Sequence, residues 1–241
     1  MALALLIALA VPAQAQIADQ VHRTEAIRLF RVGQELLSRE QFEKAIDAFS
    51  QAVKSDRLLS IAHYGIGQAN MNLRRYASAV KGYSDCIEAM RVLHKLRLAG
   101  NLEADKQRDD EILALRSYQD KGWRGFTRPQ AMAMEHHLRD LQDRSHQRGQ
   151  VFRPPPEVLL ALGSAQFRNG DRDRAEANWK AAIELNPKYG EAHNNLAVIY
   201  MQTGRFMEAE QELKLAEKNG FNVNPQFKTD LRERQRAAKA Q

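Results

Sequence analysis

The chain contains little cysteine, glycine or proline: one Cys, 13 Gly and 7 Pro among 241 residues. A lone cysteine, Cys86, cannot close an internal disulfide, so the fold must be stabilised by packing in any compartment. Few residues break helices, and the apolar residues recur three or four positions apart. The sequence therefore predicts an all-α protein without strands.

The charges of the chain are mixed rather than one-sided. The 36 Lys and Arg residues exceed the 30 Asp and Glu residues, giving a formal charge of +6, but the two signs are interleaved and form no basic block. This pattern argues against nucleic-acid binding. It favours solubility and weak attraction to acidic partners or anionic lipid surfaces.

The first residues resemble a secretory signal. An apolar run, Ala2–Val11, is followed by Pro12 and by alanines in the A-x-A arrangement that ends at Ala15. This pattern predicts a signal peptide at residues 1–15 and a periplasmic or secreted bacterial protein. The run is too short to span a bilayer, and Gln16 in place of Cys gives no lipoprotein anchor. Because no Lys or Arg precedes the run, a frayed apolar N-terminus is the alternative.

Two pairs of segments repeat with a spacing of 34 residues. Small residues recur where two helices would cross closely, and large residues nearby would fill the space between neighbouring hairpins. One such hairpin cannot bury its apolar face alone, so stacking of hairpins is predicted. The equivalent residues are Gly33, Phe42, Ala45, Phe49 and Ala52 with Gly67, Tyr76, Ala79, Tyr83 and Cys86, and Gly163, Ala175, Trp179 and Ala182 with Ala197, Ala209, Leu213 and Ala216.

These segments resemble the tetratricopeptide repeat family, whose pattern places Leu-Gly and Tyr in a first helix and Ala-x-x-x-Phe in a second. The matches are "VGQEL" with "AIDAF", "IGQAN" with "AVKGY", "LGSAQF" with "AEANW", and "LAVIY" with "AEQEL". The resemblance implies a solenoid of helix-turn-helix hairpins, with repeats 1 and 2 at 26–93 after a lead-in at 16–25, and repeats 3 and 4 at 156–224. Residues 225–241 are expected to form a capping helix with a basic tail.

Residues 94–155 interrupt the predicted array. Apolar residues spaced three or four apart, around Leu115 and Leu138, predict an inserted helical hairpin. The hairpin either covers the side of the solenoid, or it projects as an arm or folds over the concave face to recruit a partner or a second copy, giving a homodimer. Trp123, between the two helices, is either an exposed contact for such a partner or a staple of the turn.

In the family, the first helices line a concave groove that binds a peptide or helix of a partner protein. The resemblance therefore implies a non-catalytic scaffold or adaptor for protein–protein interaction, and it does not identify the partner. Truncating Tyr64 or Phe167 is expected to weaken partner binding without changing helicity. Asn195 stands where peptide-binding members use an asparagine to hold the ligand backbone, and a local structural hydrogen bond is the alternative. The implied groove residues are Phe30, Gln34, Tyr64, Gln68, Met71, Asn72, Leu160, Phe167, Arg168, Asn194, Asn195, Met201 and Gln202.

No arrangement of residues indicates catalysis, and neither a cofactor nor a metal is predicted. His136 and His137 would point about 100° apart on a helix, so they cannot chelate one metal together and are expected on a solvated face. His63 and His193 occupy equivalent repeat positions and are expected in the core, and Cys86 is expected to be a buried, inert thiol. Two alternatives remain open: a self-assembling structural component that dimerises through the insertion, and a metal-binding or enzymatic envelope protein that uses the insertion histidines.

Overall fold

The computed structural model describes residues 17–126, 128–142 and 151–239. Within these ranges the chain is all-helical and has no strand, as the sequence predicts. The predicted signal peptide, residues 1–15, lies outside the described residues. The helices of the described part are α1 (Gln20–Ser38), α2 (Phe42–Ser55), α3 (Ser60–Asn72), α4 (Tyr76–Leu98), α5 (Leu102–Gln119), α6 (Arg128–Gln142), α7 (Pro156–Arg168), α8 (Arg172–Leu185), α9 (Gly190–Gln202), α10 (Phe206–Lys218) and α11 (Pro225–Lys239).

The helices of the repeats pair into four hairpins that stack in one array. α1 packs on α2, α3 on α4, α7 on α8, and α9 on α10. Neighbouring hairpins meet through α2 and α3 and through α8 and α9. α4 packs against α7, so the array continues directly from the second hairpin to the third, although the insertion separates them in sequence. This is the predicted solenoid architecture.

Glycine is required where Phe49 and Trp179 cross the first helices of their hairpins. A Cβ added at Gly33 would lie 2.6 Å from ring atoms of Phe49, and one at Gly163 would lie 2.6 Å from Nε1 of Trp179. Both distances are well inside van der Waals contact, so a larger residue at either position would push the two helices apart. The close crossings allow Phe49 and Trp179 to be buried.

Buried polar positions in the repeats find partners close by in the chain. His63 Nε2 lies 2.9 Å from the carbonyl oxygen of Arg57, and His193 Nε2 lies 3.0 Å from that of Pro187. Both contacts span six residues, which confirms the equivalence and the core placement of the two histidines. Cys86 is also buried, as predicted, and its burial raises the pKa of the thiol well above its usual value.

The turns inside the hairpins differ between the two halves of the chain. In repeats 1 and 2, Glu40 and Arg74 occupy the left-handed region with φ of 59° and 57°. The equivalent positions in repeats 3 and 4 are Gly170 and Gly204, with φ of 89° and 77°. Glycine adopts this region without strain, whereas for a residue with a side chain this backbone conformation costs about 1 kcal/mol of stability.

The insertion folds back on the array and does not project as an arm. α5 packs on α1 and α4, α6 packs on α7, and the two helices pack on each other. Leu115, Met134 and Leu138 are buried in the same apolar cluster as the core of the repeats. The insertion is thus continuous with the solenoid core.

The C-terminal end of the array is closed by α11. This helix packs on α10 and buries Leu231, as expected of a capping helix. Gly220, with φ of 79°, lies just beyond the end of α10, and the amide of Phe221 donates to the carbonyl oxygen of Ala216 at 2.9 Å. Among the described residues, no helix has both the length and the apolar character needed to cross a lipid bilayer.

Candidate functional site: the inner face of the solenoid

The predicted groove residues lie on the first helices of the four hairpins, α1, α3, α7 and α9, and the surface that these helices share is called the inner face. In the N-terminal half, the insertion lies on this face. The ring centroids of Phe30 and Tyr118 are 6.2 Å apart, and Gln34 Nε2 donates to the carbonyl oxygen of Gly125 at 3.1 Å. The insertion therefore covers two of the predicted groove residues of repeat 1.

A polar seam joins α5 to the repeats. Arg23 of α1 has a side chain that is 3% exposed, and it donates to Asp110 Oδ2 at 2.7 Å and to Glu103 Oε2 at 3.0 Å. Gln107 Nε2 donates to Asp56 Oδ2, and burial raises the pKa of Asp56. Charge-assisted hydrogen bonds of this kind fix the orientation of α5 against α1.

Apolar contacts make the insertion a fixed part of the N-terminal half. Leu115, Met134 and Leu138 are each at most 2% exposed. Each buried side chain of this size contributes about 1.5–3 kcal/mol relative to exposure. Lifting the insertion would expose all three together with Phe30, so a partner would have to replace several kcal/mol of burial to enter this part of the groove.

Ser60, Glu111 and His137 form a buried cluster at the start of α3. Ser60 Oγ donates to Glu111 Oε1 at 2.6 Å, and His137 Nε2 lies 3.0 Å from the same oxygen and 3.3 Å from Ser60 Oγ. In a serine nucleophile relay, one imidazole nitrogen takes the serine proton and the acid holds the other nitrogen. Here one nitrogen faces both groups, and the serine proton points to the carboxylate. The cluster therefore joins α3, α5 and α6, and its arrangement differs from that of a serine nucleophile relay.

The prediction that the insertion histidines lie on a solvated helix face is wrong. His137 is buried against Glu111, and His136 Nδ1 contacts Glu157 Oε1 at the start of α7. Glu157 is itself buried, and this burial raises the pKa of its carboxyl group to about 7. The prediction failed because both sides of α6 that carry the histidines meet other helices: His137 contacts α3 and α5, and His136 contacts α7.

The predicted groove residues of repeats 1 and 2 are mostly covered. Met71 is half-buried, and Asn72 is exposed but donates its amide to the carbonyl oxygen of Gln68 at 2.9 Å. The insertion and the neighbouring helices account for the cover, since the inner face of α1 and the start of α3 hold contacts from α5 and α6. The buried members of this set are Phe30, Gln34, Tyr64 and Gln68.

The predicted groove residues of repeats 3 and 4 are more accessible. α9 packs mainly on α8 and α10, and α6 reaches only the start of α7. Leu160 is buried, and its carbonyl oxygen accepts a hydrogen bond from Trp179 Nε1 at 3.2 Å. The half-buried members of the set are Phe167, Asn194, Asn195 and Met201, and the exposed members are Arg168 and Gln202.

Trp123 staples the turn of the insertion. Its Nε1 donates to Glu135 Oε1 at 2.7 Å, and its ring meets Phe126 edge-on at 5.5 Å. The residue has φ of 56° and is only 8% exposed. Of the two alternatives drawn from the sequence, the exposed partner contact is wrong, because the ring and its polar atom are already engaged inside the hairpin.

Sequence reasoning missed the polar residues that join the insertion to the repeats. Arg23 and Asp110 are 87 residues apart, and Ser60 and Glu111 are 51 apart, so no local pattern connects them. One available signal was the position of Arg23, three residues before Ala26 on the buried stripe of α1. Among the described residues, no group of three or more His, Cys, Asp or Glu side chains is placed to hold a metal ion.

Comparison with known sequences agrees with this architecture. The sequence profile of the tetratricopeptide repeat family matches residues 30–85 and 160–221. The chain contains tetratricopeptide repeats. The two matched segments fall in the two halves of the tetratricopeptide array and leave out the insertion. No curated protein matches the chain significantly.

Comparison with solved structures finds several weak similarities. PilW, described as a type IV pilus biogenesis factor, is 15% identical, with a TM-score of 0.44 over 92% of this chain and 90% of that chain. PilF of Pseudomonas aeruginosa is 17% identical, with a TM-score of 0.36 over 85% of this chain and 81% of that chain. YrrB, described as having an unusual peptide-binding site, is 17% identical, with a TM-score of 0.29 over 81% and 86%. Similarities this weak do not extend to function.

Proposed function

We propose that this tetratricopeptide repeat protein is a non-catalytic scaffold that binds a peptide or helix of a partner protein on the inner face of repeats 3 and 4. The supporting observation is the difference in cover between the two halves. The insertion contacts Phe30 and Gln34 of α1 and the start of α3, whereas α9 packs mainly on α8 and α10. A partner can therefore reach α9 without displacing any part of the described chain.

The chemistry of this surface suits a protein ligand. Asn194, Asn195 and Gln202 offer amides, which can both donate to and accept from a peptide backbone. Met201 and Phe167 supply apolar contact, and Met adapts its shape to varied partners. Because the stacked hairpins hold these side chains in place, little ordering entropy would be lost when the partner docks.

We propose that this binding takes place in a bacterial cell envelope. The support is the apolar run Ala2–Val11 with the A-x-A arrangement ending at Ala15, a pattern typical of exported proteins. The N-terminal sequence of protein isolated from the envelope fraction tests the proposal. A start at Gln16 supports it, and a retained residue 1 in the cytoplasmic fraction contradicts it.

Self-assembly through the insertion is the second candidate. Leu102 and Leu113 are 74% and 64% exposed, and their spacing of 11 residues puts them on one side of α5. Two copies could bury these residues against each other. Sedimentation of the purified protein tests this candidate, since a concentration-dependent dimer should be lost in the double variant Leu102→Lys and Leu113→Lys.

Site-specific photo-crosslinking tests the scaffold proposal. A photoreactive amino acid placed at Gln202, on the inner face of α9, should crosslink a foreign protein in native cells. The same probe at Gln211, exposed on α10, is the matched control and should give no such product. The partner band should also weaken in Met201→Ala with helicity unchanged. Crosslinks of equal yield at Gln211, or only to a second copy of this chain, would contradict the groove proposal.

A further inference from the structure

α5 carries an exposed stripe on the side that faces away from the repeats. Glu111 and Leu115 are buried where this helix packs on the repeats and on α6. At about 100° per residue, Leu102 lies on the opposite side of the helix from Glu111. The exposed residues centred on that side are Leu102, Lys106, Asp109, Leu113 and Arg116, and we call them the α5 stripe.

Two leucines give the α5 stripe its apolar surface. Leu102 and Leu113 are 74% and 64% exposed, more than any other leucine in the described residues. They lie about 17 Å apart along the helix axis and about 20° apart around it. Leu98, at the end of α4 and 47% exposed, adds apolar surface at the Leu102 end of the helix. Apolar side chains aligned in this way are typical of a helix that another helix covers.

Between the two leucines, the α5 stripe holds one charge of each sign. The side chains of Lys106 and Asp109 are 62% and 57% exposed. Each already has an ion pair within α5: Lys106 with Glu103 at 2.7 Å, and Asp109 with Arg108 at 2.7 Å. An ammonium group has three donors and a carboxylate accepts several hydrogen bonds, so each can add a second partner from outside. A partner must therefore offer both an acid and a base at the centre of its own apolar surface.

The order of these residues makes the α5 stripe complementary to itself. Leu102 and Leu113 have the same midpoint along the helix as Lys106 and Asp109. Two copies of α5 that run antiparallel about a two-fold axis at this midpoint bring Leu102 of each copy to Leu113 of the other. The same arrangement brings Lys106 of each copy to Asp109 of the other. A parallel pair would instead bring like charges together, which disfavours it.

The geometry points to a second copy of this chain as the partner of the α5 stripe, bound antiparallel about a two-fold axis. This inference rests on the self-assembly candidate above and adds its orientation and register. A contact along one helix is smaller than the interfaces of permanent dimers, so the dimer is reversible. Because α5 does not pack on α9, the dimer presents two copies of the proposed scaffold surface.

Disulfide trapping of the purified protein tests the orientation. In the antiparallel dimer, residue 102 of one copy meets residue 113 of the other, whereas the two copies of residue 102 are about 17 Å apart. A disulfide needs Cα atoms within about 7 Å. Mild oxidation of tagged Leu102→Cys mixed with Leu113→Cys should therefore give mainly the mixed disulfide. Gln119→Cys, exposed on α5 outside the stripe, is the matched control and should not trap Leu102→Cys. The native Cys86 is buried and should not react.

Charge exchange tests the pairing of Lys106 with Asp109. Lys106→Glu or Asp109→Lys alone should weaken the dimer about tenfold in sedimentation experiments, since two exposed attractions become repulsions. An equimolar mixture of the two variants should form a mixed dimer at the affinity of the unaltered protein, because both contacts again join opposite charges. Damage inside α5 would not be restored by mixing. Lys44→Glu, exposed on α2, makes the same charge change as Lys106→Glu and should leave the dimer unchanged.

The outcomes separate this inference from the proposals above. A protein that stays monomeric at every concentration overturns both the antiparallel dimer and the self-assembly candidate. Disulfides mainly between two copies of residue 102 overturn the antiparallel dimer alone, as does a mixture that restores no affinity or an equal loss in Lys44→Glu. A photoreactive amino acid at Leu113 that captures only a foreign protein also overturns it. The scaffold proposal is decided separately, by the probe at Gln202.

Discussion

The two halves of the solenoid share one repeat but present different inner faces. In repeats 1 and 2, the insertion contacts Phe30 and Gln34 of α1 and Ser60 at the start of α3. In repeats 3 and 4, the insertion reaches only the start of α7, and the inner face of α9 carries half-buried and exposed side chains. The repeat pattern thus determines how the hairpins stack, whereas a segment outside the repeats determines which first-helix residues stay accessible.

The largest expected difference in stability is between substitutions of first-helix residues in the two halves. Phe30→Ala should lower the free energy of unfolding by about 3–5 kcal/mol, because the ring is buried between α1, α2 and the insertion. Met201→Ala, at a half-buried position of α9, should cost less than about 1 kcal/mol and should reduce partner crosslinking instead. Urea unfolding measures both, and equal losses of stability would remove the contrast between the halves.

A second test measures whether the insertion stabilises the N-terminal half more than the C-terminal half. Leu115→Ala should cost about 3 kcal/mol, since the side chain is 0% exposed in the common core. Amide hydrogen exchange should then accelerate in α1 before it accelerates in α9, because α5 packs on α1 and not on α9. Leu113→Ala, 64% exposed on the same helix, is the control and should leave both rates unchanged.

The third test measures how stability depends on pH through Glu157, which lies at the start of α7 where the insertion meets the second half. The carboxyl group of Glu157 has a pKa of about 7 when folded and an ordinary value of 4.5. The folded state therefore holds its proton where the unfolded state has lost it, so the free energy of unfolding falls as pH rises from 4.5 to 7. Between pH 5 and pH 8, ionisation of Glu157 should lower the free energy of unfolding by about 2–3 kcal/mol.

Glu157→Gln shows whether this loss belongs to Glu157. The variant should lose that part of the pH dependence, because the amide does not titrate. Glu184→Gln, exposed on α8, should keep the slope of the unaltered protein. Denaturant unfolding at pH 5 and pH 8 makes the measurement, and an unchanged slope in Glu157→Gln would show that other groups govern it.

The smallest expected change in stability comes from exchanging the turn residues of the two halves. Arg74→Gly should raise the free energy of unfolding by about 1 kcal/mol, because glycine adopts φ near 57° without strain. Gly204→Arg, at the equivalent position of repeat 4, should lower it by a similar amount. Thermal unfolding of the two variants checks the signs. Two changes of the same sign would mean that contacts of the Arg side chain, rather than backbone strain, decide these turns.

The sequence predicts the hairpins well because their determinants are local. Gly33 and Phe49, or Gly163 and Trp179, are 16 residues apart and meet across a single turn, so a spacing rule finds both members of each contact. The helices of the insertion are also predicted, since their apolar residues recur three or four positions apart. In both cases the information lies within one hairpin.

The position of the insertion against the repeats cannot be predicted from the spacing of residues within one hairpin. Its orientation depends on pairs such as Arg23 with Asp110 and Ser60 with Glu111, whose members lie on different hairpins. His137 gives no sign of burial within α6, because the helices that cover it come from elsewhere in the chain. The resemblance to the family therefore predicts more groove residues than are accessible, because it names every first helix, including α1, whose Phe30 and Gln34 contact the insertion.

The contact between Arg23 and Asp110, 87 residues apart, also bears on the order of folding. Each hairpin of repeats 3 and 4 closes through contacts between residues close in sequence, and such local contacts form quickly. The N-terminal half needs α5 and α6 to cover Phe30, so it must wait until the chain beyond residue 140 is available. In a chain that emerges N-terminus first, the core of repeats 1 and 2 would therefore be completed only after the insertion has emerged, and not when α4 ends.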